Sequence, residues 1–201
     1  MRFADVDAVT LDAFGTIVTL RDPAPALERL TGRSEDEIRR AFAAEVAFYL
    51  QHAVEGRDAA TLQRLRERCT ETFNRALGTN LSPEQFLSAL EYEELPHVRE
   101  SLRALEARGV TLAVVANWDC ALPGHLERLG LARSFSAIVT SAEAGAAKPD
   151  PAPFRIALER LGVPPERALH IGDGEVDEAG AAAAGLHFAP APVDAAVAAL
   201  T

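Results

Sequence analysis

Ala8-Val9-Thr10-Leu11-Asp12-Ala13-Phe14-Gly15-Thr16-Ile17-Val18 is the stretch from which the fold of this 201-residue chain is read. A run of apolar and β-branched residues ends in a carboxylate, and Gly15, three residues later, lets the backbone turn sharply. That pattern ends a strand at Asp12 and presents the carboxylate at the mouth of a sheet. An isolated Asp-x-x-Gly more often caps a turn, and the residues downstream decide between the two.

The next convincing strand, Thr111–Val115, comes about a hundred residues later, far more than a strand-helix-strand crossover needs, so something is inserted. The insertion reads as helices. Ser34-Glu35-Asp36-Glu37 forms a capping box, after which Ile38, Phe42, Val46, Tyr49 and Leu50 recur on one face. Leu62, Leu65, Cys69, Phe73 and Leu77 form a second stripe that stops at Gly78, and Ser82-Pro83-Glu84-Gln85 opens a third helix. Such stripes predict an antiparallel bundle beside the sheet mouth. The domain division expected is therefore a core of residues 1–18 and 94–201 with a helical cap domain, 19–93, inserted after the first strand.

From Pro96 onward the pattern alternates. An amphipathic helix carrying Val98, Leu102 and Leu105 ends at Gly109. Strand 111–115 precedes helix 122–129, strand 137–140 precedes helix 152–161, strand 168–171 precedes helix 176–184, and Leu186–Phe188 closes the series as an edge strand. Apolar strands alternating with helices predict an α/β fold, a Rossmann-like parallel sheet flanked by helices on both faces.

The composition narrows the function. Lys and Arg number 20 against 30 Asp and Glu, and a formal charge of −10 disfavours nucleic acid or an anionic membrane as partner. Cys69 and Cys120 show neither disulfide nor metal-ligand spacing, which fits a reducing compartment. The charged stretch Met1–Asp7 lacks the apolar core of a leader, so a cytoplasmic protein is expected; the sequence leaves monomer or homodimer open.

In a parallel sheet of this kind, ligands bind beyond the carboxyl ends of the strands. The residues there are Asp12, then Ala116-Asn117, then Thr140-Ser141 with Lys148 a few residues on, then Gly172-Asp173-Gly174-Glu175-Val176-Asp177. Asp12, Asp173 and Asp177 in one small volume cannot all stay ionised uncompensated. An all-oxygen set of this kind favours magnesium, although either aspartate of the last motif alone would read as a helix cap. Lys148 lies in a loop where no helix or strand needs it, and its place at the sheet mouth suits a contact with phosphate or carboxylate. Cys120 with His125, and Arg39 with Arg40, read as packing or surface residues, while Trp118 reads equally as a pocket-lining residue and as an anchor of the sheet mouth.

Asp12-Ala13-Phe14-Gly15-Thr16, the strand ending in Asn117, Lys148-Pro149, and Gly172-Asp173 with Asp177 together resemble the four signature motifs of the haloacid dehalogenase-like hydrolase superfamily, in order. The helical insertion resembles the small cap of the branch that includes phosphoglycolate phosphatase and the 2-haloacid dehalogenases. The resemblance implies that Asp12 is a nucleophile and that Asp12, the Phe14 carbonyl, Asp173 and Asp177 hold Mg2+. It further implies that Lys148 and Asn117 assist catalysis, and that Ala116, Gly15 and Thr16 join them in binding a phosphorylated small-molecule substrate. Two positions depart from the phosphatase pattern. Phe14 stands where a second Asp supplies general acid and base, and Ala116 where a Ser or Thr donates a hydroxyl. The expected function is a magnesium-dependent phosphatase working through an aspartyl-phosphate. A 2-haloacid dehalogenase is the first rival, because an aromatic residue at position 14 resembles those enzymes, and a non-catalytic phospho-ligand binder is the second. If another residue replaces the missing acid, the cap residues His52, Glu45 and Glu55 are where it is sought.

Overall fold

Ala8–Leu11 (β1) lies at the centre of the sheet with all four side chains buried. The computed structural model describes residues 5–200, so Met1–Ala4, part of the stretch weighed for a leader, lie outside the described residues. After β1 come Val18–Leu20 (β2) and the helices Ala24–Thr31 (α1), Glu35–His52 (α2), Ala59–Leu77 (α3) and Pro83–Leu87 (α4). The chain returns through Tyr92–Glu94 (β3) and Val98–Glu106 (α5). There follow Thr111–Ala116 (β4), Leu122–Arg128 (α6), Ala137–Thr140 (β5), Ser141–Ala144 (α7), Ala152–Leu161 (α8), Ala168–Gly172 (β6), Glu175–Ala184 (α9), His187–Pro190 (β7) and Val193–Ala198 (α10).

The sheet runs β5-β4-β1-β6-β7 and is parallel throughout, as the alternation of strands and helices predicts. Its register fixes the site. Leu11 lies opposite Val114 on one side and Ile171 on the other, so Asp12, Val115 and Gly172 emerge together at one edge. The two-residue period of the strands sorts the core into two layers. Val9, Leu11, Leu112, Val114, Leu169 and Ile171 pack with α5, α6 and α10, whereas Ala8, Ala113, Val115, Val139 and Ala168 meet α8 and α9. Small residues dominate the second layer. They admit Phe154 of α8, which is fully buried with its ring edge-on to His170 at 4.8 Å.

Between β2 and β3, helices α1 to α4 form a bundle around Leu27, Ile38, Phe73 and Phe86. The Glu37 carboxylate accepts from the Ser34 backbone N–H at 3.1 Å, closing the start of α2 as the sequence predicts. Several features differ from the sequence reading. Helices α1, α7 and α10 and the antiparallel ribbon β2-β3, in which Val18 faces Glu94 and Leu20 faces Tyr92, carry no periodic signal long enough to be read. The edge strand sits one or two residues later than Leu186–Phe188. The apolar stripe of α2 is only partly consumed by the bundle, leaving Val46 and Leu50 exposed. No helix among the described residues is long and apolar enough to cross a membrane.

Gly180 of α9 lies so close to Phe154 that an added Cβ would stand 2.6 Å from its ring, with Pro149 behind. Ala gains about 1 kcal/mol in helix propensity over Gly, but overpacking a rigid wall costs about 1–3 kcal/mol. Gly180→Ala is therefore expected to lower the melting temperature in a thermal scan, despite improving the helix.

Candidate active site

The carboxyl edge of the sheet gathers four charged side chains. Lys148, 4% exposed, donates from Nζ to Asp12 Oδ1, to Asp177 Oδ1 at 2.6 Å and to the Val115 carbonyl at 2.9 Å. All three ammonium protons are thus used. Asn117, at the end of β4, holds the lysine from behind. Its Oδ1 accepts from the Lys148 backbone N–H at 2.7 Å and its Nδ2 donates to the Lys148 carbonyl at 3.1 Å. The side chain of Asn117 therefore positions the lysine.

Asp12, Asp173 and Asp177 each offer a carboxylate oxygen within 4.8 Å of the others. Two glycines make room for them. A Cβ on Gly15 would lie 2.0 Å from Asp173 Oδ2, and Gly15 has φ +81°, which disfavours any other residue. A Cβ on Gly172 would lie 2.4 Å from the Asp177 side chain. Behind Asp177 stands His170, which was not singled out in the sequence because it reads as one more buried strand residue. Its Nε2 lies 2.9 Å from Asp177 Oδ1 and its Nδ1 2.9 Å from Thr10 Oγ1. A carboxylate only accepts, so Nε2 carries the proton and Nδ1 accepts from the threonine hydroxyl. Burial pushes the His170 pKa down to about 4, keeping the ring neutral near pH 7.

The carboxylates respond in opposite directions. Burial raises Asp12 to about 6, against the pull of Lys148 and with Asp177 adding to the rise. Burial also acts to raise Asp177, but the bond from His170 and the charge of Lys148 overcome it and hold the group down at about 2. Asp173, at the exposed side, is raised by partial burial and by the charge of Asp177. Charge is thus favoured on Asp177, while burial works against it on Asp12 and Asp173. Glu175 is exposed and lies outside the cluster. Thr16 is 2% exposed, and its Oγ1 is buried without a hydrogen-bond partner. Ala116 is buried at the end of β4.

Phe14, 50% exposed, leads from this edge into a cavity of about 510 Å³ between the bundle and the sheet mouth, also lined by Asn117, Trp118 and the α2 residues Phe42, Glu45 and Val46. Of the three bundle residues considered as proton donors, only Glu45 reaches it. His52 stacks on Phe48 and Glu55 pairs with Arg68. Burial raises Glu45 to about 7, against a hydrogen bond from Cys69. Asp119 anchors the bundle to the core. Its Oδ2 accepts from the Tyr49 hydroxyl at 3.0 Å, while the neighbouring Cys120 N–H donates to the Gly56 carbonyl at 2.8 Å. Trp118 packs on Tyr92, as does His125, whose Nδ1 takes a bond from Arg128. Arg39 is held on the surface by Asp22 and Glu35.

A family model described as haloacid dehalogenase-like hydrolase matches residues 6–185. Phosphoglycolate phosphatase of Rhodospirillum rubrum is 35% identical over 181 residues, 87% of this chain and 69% of that protein. Haloacid dehalogenase-like hydrolase domain-containing protein 3 of Mus musculus is 40% identical over 105 residues, 52% of this chain, and the match spans 42% of the relative's length. Among solved structures, L-2-haloacid dehalogenase from Xanthobacter autotrophicus superimposes with a TM-score of 0.70 at 25% identity, covering 92% of this chain and 77% of that one.

Removing the ammonium tests the electrostatics directly. Lys148→Met leaves Asp12 and Asp177 facing each other without a cation, and breaking a buried pair typically costs about 3–5 kcal/mol. Asp12 has a raised pKa, so its favourable contribution is complete below the ordinary carboxylate range and is lost as pH rises through about 6. The stability deficit of the variant is thus expected to be large at pH 8 and smaller at pH 5, where Asp12 takes up a proton, without vanishing, because the bonds from Lys148 to Asp177 and to the Val115 carbonyl are lost at either pH. Thermal melts at the two pH values measure it.

Proposed function

This chain belongs to the haloacid dehalogenase-like hydrolases, and on that premise we propose that it is a magnesium-dependent phosphatase of a small phosphorylated molecule, with residues 19–93 acting as a cap on a core of 1–18 and 94–201. The observation that carries the reading is the gathering of Asp12, Asp173 and Asp177 within 4.8 Å around a single lysine. Three carboxylates against one ammonium leave a deficit of positive charge, and an all-oxygen donor set of this size fits a hard divalent cation. Asp12, the Phe14 carbonyl and Asp173 would hold it, with Asp177 supporting from behind. Bound there, magnesium would neutralise charge on the phosphoryl oxygens.

The residues of the chain then divide the work. Asp12 attacks phosphorus, its new O–P bond forming as the bond to the leaving alcohol oxygen breaks. Water afterwards attacks the same phosphorus as the bond to Asp12 breaks, freeing inorganic phosphate and regenerating the carboxylate; the proton that the water gives up to solvent balances the one that the departing alcohol takes from it. Lys148 holds Asp12 in line and balances the incoming charge, and Asn117 fixes the lysine. The phosphoglycolate phosphatase relative supports this reading. The exposed ring of Phe14 in an apolar cavity favours a second one, displacement of halide from a 2-haloacid by Asp12, as the dehalogenase likeness also suggests.

A panel of phosphate monoesters and 2-haloacids, assayed with magnesium and with chelator, separates the two. Phosphate release that requires magnesium and disappears in Asp12→Asn is expected. Halide release indifferent to metal would overturn the reading, as would magnesium-dependent binding of phosphate esters with no turnover, the mark of a binder.

Phe14 generates its own prediction. With no carboxylic acid at position 14 to protonate the leaving group, esters of acidic alcohols should outpace alkyl esters. Phe14→Asp should accelerate alkyl esters selectively, by up to about 10²–10⁴-fold, while magnesium affinity changes little because the carbonyl stays in place. Steady-state kinetics on aryl and alkyl phosphates check the selectivity.

A further inference from the structure

We propose that the alcohol portion of the substrate is a hydrocarbon body that occupies the cavity between the bundle and the sheet mouth, rather than a sugar or a two-carbon acid. The inference rests on the phosphatase reading for the reacting end of the molecule and concerns the other end.

Three observations lead there. The first is where apolar surface is left uncovered. Five large hydrophobic residues are exposed among those described, and three of them, Phe14, Val46 and Leu50, line this one cavity. The wall continues through Phe42, Phe86 and Leu90. Exposed apolar groups concentrated in a concavity, rather than scattered, mark a surface that something covers.

The second is the state of the polar groups in the wall. Asp119 is bonded to Tyr49 and to the Ala121 N–H, Arg128 to His125, and Glu45 to Cys69. Of the charged side chains in the wall, only the Arg66 guanidinium makes no hydrogen bond or ion pair among the described residues. The several hydroxyls of a sugar would each lose water on entering and find few free partners, the Arg66 guanidinium, the Tyr92 hydroxyl and the Trp118 indole N–H, too few to repay that loss.

The third is size. About 510 Å³ is the scale of a pocket that encloses a ligand of many heavy atoms, and a two-carbon leaving group would leave most of it unfilled. Phe14 links the two ends. The residue that removes the proton donor from the phosphoryl site also forms the apolar floor where the alcohol begins.

The test uses straight-chain alkylphosphonates and alkyl phosphates from ethyl to octyl, whose leaving-group acidity is nearly constant, so the demand for a proton cancels along the series. Trp118 is the only tryptophan and lines the cavity, so its fluorescence reports occupancy without turnover. With magnesium present, phosphonate Kd is expected to fall by up to about fourfold per methylene, with kcat/KM of the phosphates rising in parallel until the cavity is full. Leu50→Asp and Val46→Asp, both at exposed positions of α2, should flatten the gradient. A Kd independent of chain length, or a gradient untouched by both variants, overturns the proposal. A binding gradient with no ester hydrolysed would sink the phosphatase reading and leave the hydrocarbon site standing, whereas brisk hydrolysis of short esters with no gradient would do the reverse.

Discussion

A buried ammonium has few ways to exist in a protein, and this one determines much of the molecule around it. Lys148 is tolerable because three acceptors meet its three protons, and those acceptors come from three separate segments: Asp12 just after β1, Val115 in β4, and Asp177 in the first turn of α9. Only the parallel register that brings Leu11 opposite both Val114 and Ile171 puts them within reach of one another. Asn117 grips the lysine backbone, His170 steadies Asp177, and Phe154 braces His170 from the layer of small residues below. The support reaches from the charged cluster down to the packing of α8 against α9. A substitution as distant as the face of α9 is thus felt at the site through aromatic contact rather than through charge.

The approach to that cluster is governed by a different kind of contact. The bundle meets the core through Tyr49 on Asp119 and through one backbone bond from Cys120 to Gly56. Gly56 belongs there because a Cβ would stand 2.8 Å from that of Asp119. These are few bonds for such an interface, and they lie close to the cavity wall. Apolar surface exposed on both sides of the gap has no partner among the described residues, so whatever fills the cavity also completes the contact between its two walls.

Much of this was legible in the sequence, and the parts that were not share a cause. Buried parallel strands read as uninterrupted apolar runs, which is why β1, β4, β5 and β6 stand out, and the glycines at 15 and 172 mark where backbone and carboxylate approach closely. The convergence of Asp12, Lys148, Asp173 and Asp177 follows from their common position after strands of one sheet. Strands β2 and β3 were invisible because three residues such as Tyr92-Glu93-Glu94 carry no period, and their pairing joins distant segments. Val46 and Leu50 kept the spacing of a buried stripe while facing a cavity, since periodicity reports that a face is apolar and not what covers it. His170 gave no signal because its partners, Thr10 and Asp177, are set by register.

The ribbon formed by β2 and β3 has a consequence for how such a chain can diversify. Leu20 and Tyr92 are paired directly, so the two points where the chain leaves and rejoins the sheet domain are already tied together. The entropy of closing that loop is met at its base, and each doubling of the length beyond costs only about 0.6 kcal/mol. The helices that stand between these residues can be lengthened, exchanged or rebuilt without loosening the register that seats Lys148, so the cavity wall they form is free to drift while the charged cluster stays as it is.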